Sequence, residues 1–419
     1  MKFLTKIAFK NLFRHKLRTF ISIIAIAFAV MIVVFARGFI VGMIDSVFAD
    51  QIQYYSGHIK IVDREYQQQE RLLPLNYPVD GLAGQGLNEM MDSLKGIENV
   101  EMVIPRLKFG AMVSTGNELV AMSGWGVNPI QEFQFTNIED QLVEGRMFQP
   151  GQREVVMGTG LLAKLNHQVG DKVTILSNTA FNSLKGVTFK IVGRLASGLK
   201  LLDEIVFYLP LDQAQSWLYM DDQSTELLLV TSNRGLVDQV LPEVKELLAS
   251  RDAEERYLAL GYQETSDLLP YMELAKLIYN QIYIFLVLLA SIVVINTMIM
   301  IVKERTKEIG MMSALGLESK NILQLFIIEG GIIGIIGSLL GALLGSIINE
   351  YFAVTGIDFS SAMAGFSSEL VFNSIIYPVS STANTVFAFI LGVIVVTIAC
   401  MIPARRAAKL EPTEALREI

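Results

Sequence analysis

The sequence predicts an α-helical membrane protein with four transmembrane helices and a large α+β extracytoplasmic domain between helices 1 and 2. Three observations predict it. Of 419 residues, 52% are apolar and only 18% are charged, a balance unlike that of ordinary soluble domains. The apolar residues gather into four blocks, 19–44, 277–302, 322–348 and 385–403, each long enough to cross a hydrocarbon core of ~30 Å at ~1.5 Å per helical residue. Residues 45–276, by contrast, have a soluble composition.

Taken in order, residues 1–18 set Phe3, Ile7, Phe9 and Phe13 against Lys6, Lys10, Arg14 and Arg18 at helical spacing. This predicts an amphipathic cytoplasmic helix on the membrane surface, which also serves as a basic flank. The block at 19–44 is too long for a signal h-region and reads as a retained span. Arg37 interrupts it near the outer end. A snorkelling arginine is expected there, and a groove-facing one is the alternative. Helical spacing persists through Phe39, Val41, Ile44 and Phe48, so the helix is expected to continue as a stalk.

Within 45–276, strands are predicted at 57–62, 100–114, 118–123, 153–157, 172–176, 187–192, 205–209 and 226–230. Helices are predicted at 87–94, 160–165, 211–219 and 236–248. Gly116-Asn117 reads as a hairpin turn and 179–186 as a loop. The pattern fits a βαβ-like unit repeated with an insertion. After span 2 (277–302) come a charged connector (303–321), span 3 (322–348), an outer loop (349–384), span 4 (385–403) and a tail (404–419).

Basic residues fix the orientation. They stand in 1–18 (Lys2, Lys6, Lys10, Arg14, Lys16, Arg18), in the connector (Lys303, Arg305, Lys307, Lys320) and in the tail (Arg405, Arg406, Lys409, Arg417), while 349–384 has none. Both termini and the connector are therefore expected inside, and the inserted domain outside. The net charge of −8 and the lack of a basic patch away from the spans argue against nucleic acid. The single cysteine, Cys400, allows no internal disulfide.

The third span carries glycines at helix-packing spacing: Gly330, Gly334, Gly337, Gly341 and Gly345. Small residues four apart let helix backbones approach closely in lipid. They are expected to pack on another span of the same chain, with dimerisation as the sharper alternative. Glu329 is an isolated acid two turns into that span, expected to hydrogen-bond a neighbouring helix. Enzyme signatures are missing. There is no G-x-x-x-x-G-K-[ST] loop, no G-x-S-x-G elbow and no metal-ligand cluster, and His15, His58 and His167 are scattered. No cofactor is expected on this chain itself.

The stretch E-R-T-K-E-I-G-M-M-S-A-L-G-L, 304–317, resembles the connector of bacterial ABC-transporter permeases of the FtsX/MacB/Lol type. P-A-R-R-A-A-K-L-E-P-T-E-A-L-R at 403–417 resembles that family's C-terminus, and N-L-F-R-H-K-L-R-T at 11–19 its N-terminus. Glu329-Gly330 also matches. The one-plus-three arrangement of spans covers nearly the whole chain. The length and the outer domain resemble the lipoprotein-releasing LolC/LolE group.

The resemblance implies a multi-pass permease subunit of the bacterial inner membrane. Its partners would be a cytoplasmic ABC ATPase dimer, a second permease subunit (identical or paralogous), membrane lipid, a lipoprotein and a periplasmic chaperone. ATP and Mg would be held by the ATPase. Motion from the ATPase would pass along the stalk to the outer domain. Glu304, Arg305, Glu308, Ile309, Ala314, Leu315 and Gly316 would form the ATPase contact. Phe35, Phe39, Ile40, Ile282 and Phe285 would line a groove for acyl chains. Two other family activities remain open: mechanotransmission export of peptides or antibiotics, as in MacB, and regulation of a cell-wall hydrolase, as in FtsX.

Overall fold

The computed structural model describes residues 2–12, 14, 16–82, 84–114, 118–265, 269–359 and 375–410. The Gly116-Asn117 turn, Phe13 and His15, most of the outer loop and residues 411–419 lie outside them. The chain divides into two compact units, one built from 1–45, 270–358 and 375–419 and the other essentially from 46–269.

Helix α1 (Lys2–Leu12) precedes α2 (Lys16–Asp50). No proline interrupts α2, and it runs without a break into a π-helical turn, Gln51–Ser56. The expected continuation past Arg37 is therefore present. Gly42 is required by a close approach, because a Cβ there would overlap the Tyr377 carbonyl.

The soluble unit contains β1 (Ile59–Asp63), α3 (Arg64–Gln68), α4 (Leu87–Lys95), β2 (Val100–Ser114), β3 (Leu119–Val127) and α5 (Pro129–Thr136). Next come β4 (Leu142–Gly145), β5 (Glu154–Gly158), α6 (Thr159–Leu165), β6 (Lys172–Asn178), β7 (Leu184–Leu195) and α7 (Lys200–Ile205). It closes with β8 (Val206–Pro210), α8 (Leu211–Leu218), β9 (Glu226–Thr231), α9 (Val237–Ser250) and β10 (Tyr257–Gly261).

Two substructures share β2. In the first, the strand order β10-β1-β9-β2 is antiparallel throughout. Its halves are β1-α4-β2 and β9-α9-β10, the split βαβ pattern of ferredoxin-like folds. In the second, β2 pairs β3, β3 pairs β8, β8 pairs β5, β5 pairs β7, β7 pairs β6, and β6 returns to β2 through Ala111 and Met112. These six strands form a closed ring. Leu107 and Phe109 of β2 join Val155, Met157, Ile175, Phe189, Ile191 and Phe207 in one buried cluster, filling it as alternate inward positions fill a small barrel. A buried side chain of that size contributes ~1.5–3 kcal/mol. The expected βαβ repeat exists, but its halves are the two ends of the insert, and the ring is the insertion between them.

The membrane unit resumes with α10 (Leu269–Glu304), α11 (Thr306–Ala314) and α12 (Ser319–Thr355). A two-residue pairing of β11 (Ile357–Asp358) with β12 (Ile375–Ile376) precedes α13 (Thr382–Ala408). Helices α2, α10, α12 and α13 are each long and apolar enough to cross a membrane. All four extend beyond the predicted blocks, because the helices continue through the more polar residues at their ends.

Candidate functional site: the connector and the stalk root

The connector folds as α11 despite a central glycine, Gly310: T-K-E-I-G-M-M-S-A holds no proline, and Glu308 stands in the first turn. Gly316 ends it. Its φ of +96° suits only glycine, and Leu317 N–H donates to the Met312 carbonyl as the chain turns back. A second helix, α12, starts at once.

The polar side of this turn is directed inward. Arg305 is 5% exposed and Ile309 fully buried. Arg305 Nε donates to Glu308 Oε2 at 3.1 Å. Glu308 Oε1 also pairs with Arg14 at 2.6 Å, and Glu304 pairs with Arg18. Burial acts to raise the Glu308 carboxyl, but the Arg305 and Arg14 guanidiniums outweigh it and hold it below the usual carboxylate range. Arg305 Nη1 also stands 3.7 Å from Glu329 Oε2 in α12. Glu329, 2% exposed, thus faces a cation of the connector and also interacts with the Asn11 side chain of α1, in line with the expected bond to a neighbouring helix.

This placement divides the seven predicted contact residues. Glu304, Arg305, Glu308 and Ile309 bind the connector to its own chain. Ala314, Leu315 and Gly316 are exposed, Leu315 at 89%, together with Met311 and Lys307. Sequence reasoning missed Met311 and Lys307 as surface residues. The signal available was helical spacing, since 307, 311, 314 and 315 share one face.

The five glycines all face helices of the same chain. Gly330 and Gly334 lie against Cys400 and Val396 of α13, and Gly337, Gly341 and Gly345 against Ile26, Ala27, Val30 and Val34 of α2. Among the groove residues, Phe35 stacks with Phe39, centroids 6.4 Å apart, and touches Phe352. Ile40 is buried, whereas Ile282 and Phe285 are exposed on α10.

Residues 19–247 match the family described as MacB-like periplasmic core domain, and residues 280–412 that described as FtsX-like permease C-terminal. The first match alone spans more than half of the chain. The chain belongs to the FtsX/MacB/Lol family of ABC permeases. The permease is similar to LolC, a lipoprotein-releasing system transmembrane protein of Neisseria meningitidis, at 23% identity over 75% of this chain and 77% of that protein. It is similar to LolE of Haemophilus influenzae, of the same system, at 27% identity over 76% and 77%. It is also similar, at 25% identity and 98% coverage of both chains, to YknZ of Bacillus subtilis, described as an uncharacterized ABC transporter permease.

The permease has a second ordered junction, within the soluble unit, where the π-helical turn is held. Arg106 and Lys108 alternate along β2 with the core residues Leu107 and Phe109, so both point to the opposite face. Arg106 Nη1 donates to the Tyr54 carbonyl at 2.6 Å and Nε to Glu132 Oε2 at 3.0 Å. Lys108 pairs with Glu226 of β9 at 2.7 Å and reaches the Tyr55 carbonyl. Trp125 packs against both cations, with Lys108 Nζ 4.6 Å from its ring centroid. Burial lowers the Lys108 ammonium below its ordinary range, against the opposing pull of Glu226. Gln53 donates to the Thr136 carbonyl, and Phe48 meets Tyr262 edge-on. π-Helical turns concentrate at functional positions, and this one is fixed by buried charge.

Proposed function

We propose that the permease is a subunit of an ATP-driven transporter that passes motion of a separate ATPase to its extracytoplasmic domain, and that its cargo is lipoprotein taken from the bacterial inner membrane. The observation carrying the first part is the double tie of the connector, to the N-terminal segment through Glu308–Arg14 and Glu304–Arg18 and to α12 through Arg305–Glu329. A force applied at the exposed Met311, Ala314 and Leu315 face would reach α2 and α12 together. That face is the docking surface in this reading, with ATP and Mg bound by the ATPase dimer. Both termini would be cytoplasmic in this reading, which the basic segments support. The lipoprotein cargo is supported by the similarity to LolC and LolE. Export of peptides or antibiotics is the second reading, supported by the match of 19–247 to the MacB-like domain.

Purification from native membranes in mild detergent, followed by mass spectrometry, tests both parts. An ATPase together with acylated protein is the expected result. An ATPase with an adaptor or a hydrolase, and no acylated protein, would overturn the lipoprotein reading. A folded preparation without any ATPase would overturn the docking reading.

A further inference from the structure

Arg37 is a cation of the membrane unit with no carboxylate partner among the described residues. It lies on α2 about 18 residues beyond Thr19, a rise of ~27 Å, which brings it to the headgroup level at the end of the bundle away from the basic segments. Aromatic residues mark the same level on its own helix and on the facing ones: Phe35 and Phe39 on α2, Tyr351 and Phe352 on α12, and Phe387 on α13. Such rings gather at membrane–water interfaces.

The guanidinium does not snorkel freely. Its Nε donates to Asn384 Oδ1 at 2.7 Å, and its carbon lies 4.0 Å from the Phe387 ring centroid. Both contacts come from α13 and fix the plane of the fork. Nη1 is shielded from solvent and has no hydrogen-bond acceptor. Among the described residues, no carboxylate lies within ion-pair distance of it. A neutral amide and a ring face orient the charge but do not neutralise it. An unpartnered charged donor in a low-dielectric setting carries a desolvation cost. The group that would relieve it must be anionic, oxygen-bearing and present at headgroup depth. A phosphate meets all three conditions and matches the guanidinium fork.

We propose that Arg37 is the cationic centre of a phosphate-binding site that receives the headgroup of a membrane phospholipid. Asn384 and Phe387 are its positioning residues. The site is separate from the lipoprotein reading and stands if that reading fails.

The test is lipid retention by the purified full-length permease, with whatever subunits accompany it, in nanodiscs containing phosphatidylglycerol and diacylglycerol, read by native mass spectrometry. Wild type is expected to retain phosphatidylglycerol over diacylglycerol. Arg37→Gln should lower that retention roughly tenfold, the size of one charge-assisted hydrogen bond, and Arg37→Lys should fall between the two. Inorganic phosphate added in excess distinguishes the sources. Lipid retained in its presence supports a headgroup site, and displacement means that the site serves soluble phosphate and overturns the headgroup assignment. Equal retention by wild type and Arg37→Gln would overturn the site altogether. Should Arg37→Gln fail to fold, Asn384→Ala keeps the charge but releases Nε. Weaker retention in that variant supports the site, and unchanged retention overturns it.

Discussion

Glu308 is the residue on which the connector's charges converge, since it accepts from Arg305 and pairs with Arg14 at once. Its carboxyl is held below the ordinary range in the folded chain. A depressed carboxyl stabilises the fold above its unfolded-state value, and that contribution is lost as pH falls through the folded value. Thermal melts of the detergent-solubilised protein should therefore show a loss of stability below the ordinary carboxylate range. Glu308→Gln should remove that component and lower the melting temperature at neutral pH. An unchanged acid profile in the variant would refute the assignment. The sequence placed Glu304, Arg305 and Glu308 on the connector but not their direction. The partners of the two acids, Arg14 and Arg18, stand almost 300 residues earlier, beyond the reach of any periodicity. One clue was available. The first 18 residues hold six Lys or Arg and no acid, so acids on the connector, expected on the same side of the membrane, were their natural partners.

The glycine-laced helix α12 is the element whose packing was most legible, because glycines four apart can serve little except close approach. What the spacing could not resolve was that the series turns from one neighbour to another. Gly330 and Gly334 serve α13, while Gly337, Gly341 and Gly345 serve α2. A Cβ at Gly341 would overlap the Ala27 carbonyl, whose backbone cannot yield cheaply, but one at Gly331 would meet only Thr397 Oγ1 at an ordinary 3.7 Å. Gly341→Ala should therefore separate α12 from α2 and reduce the yield of folded protein, with Gly331→Ala close to wild type. Detergent-extracted yield and size-exclusion profiles would decide it, and equal behaviour of the two variants would count against this packing. In the soluble unit most strands were readable from β-branched and apolar runs. The strand β10 was missed because Y-L-A-L-G is short and lacks β-branched residues. The closing contact of β6 with β2 involves only Ala111 and Met112, too little to leave a sequence trace.

At the level of the whole molecule, the division into an apolar bundle and a soluble insert was written in composition, and the two units fall on either side of that boundary. The buried charges of the soluble unit were not. Arg106 and Lys108 sit in a strand that was correctly bounded, yet nothing local shows that both are buried beside Glu132 and Glu226. Two units with separate cores should unfold in two calorimetric transitions. Arg106→Met, which leaves Glu132 buried and unpaired, should weaken only the soluble unit, by about 3–5 kcal/mol. A single transition, or an equal shift of both, would contradict that division. The strand order has a further consequence for how the chain is made. β1 is the first strand of the insert to be synthesised, yet both of its partners, β9 and β10, come from the insert's far end. At a synthesis rate of ~5–20 residues per second, β1 waits roughly 10–30 s with both edges open before β9 is made. Biogenesis of this protein should therefore depend on a holdase that shields Ile59, Ile61 and Val62 during translocation.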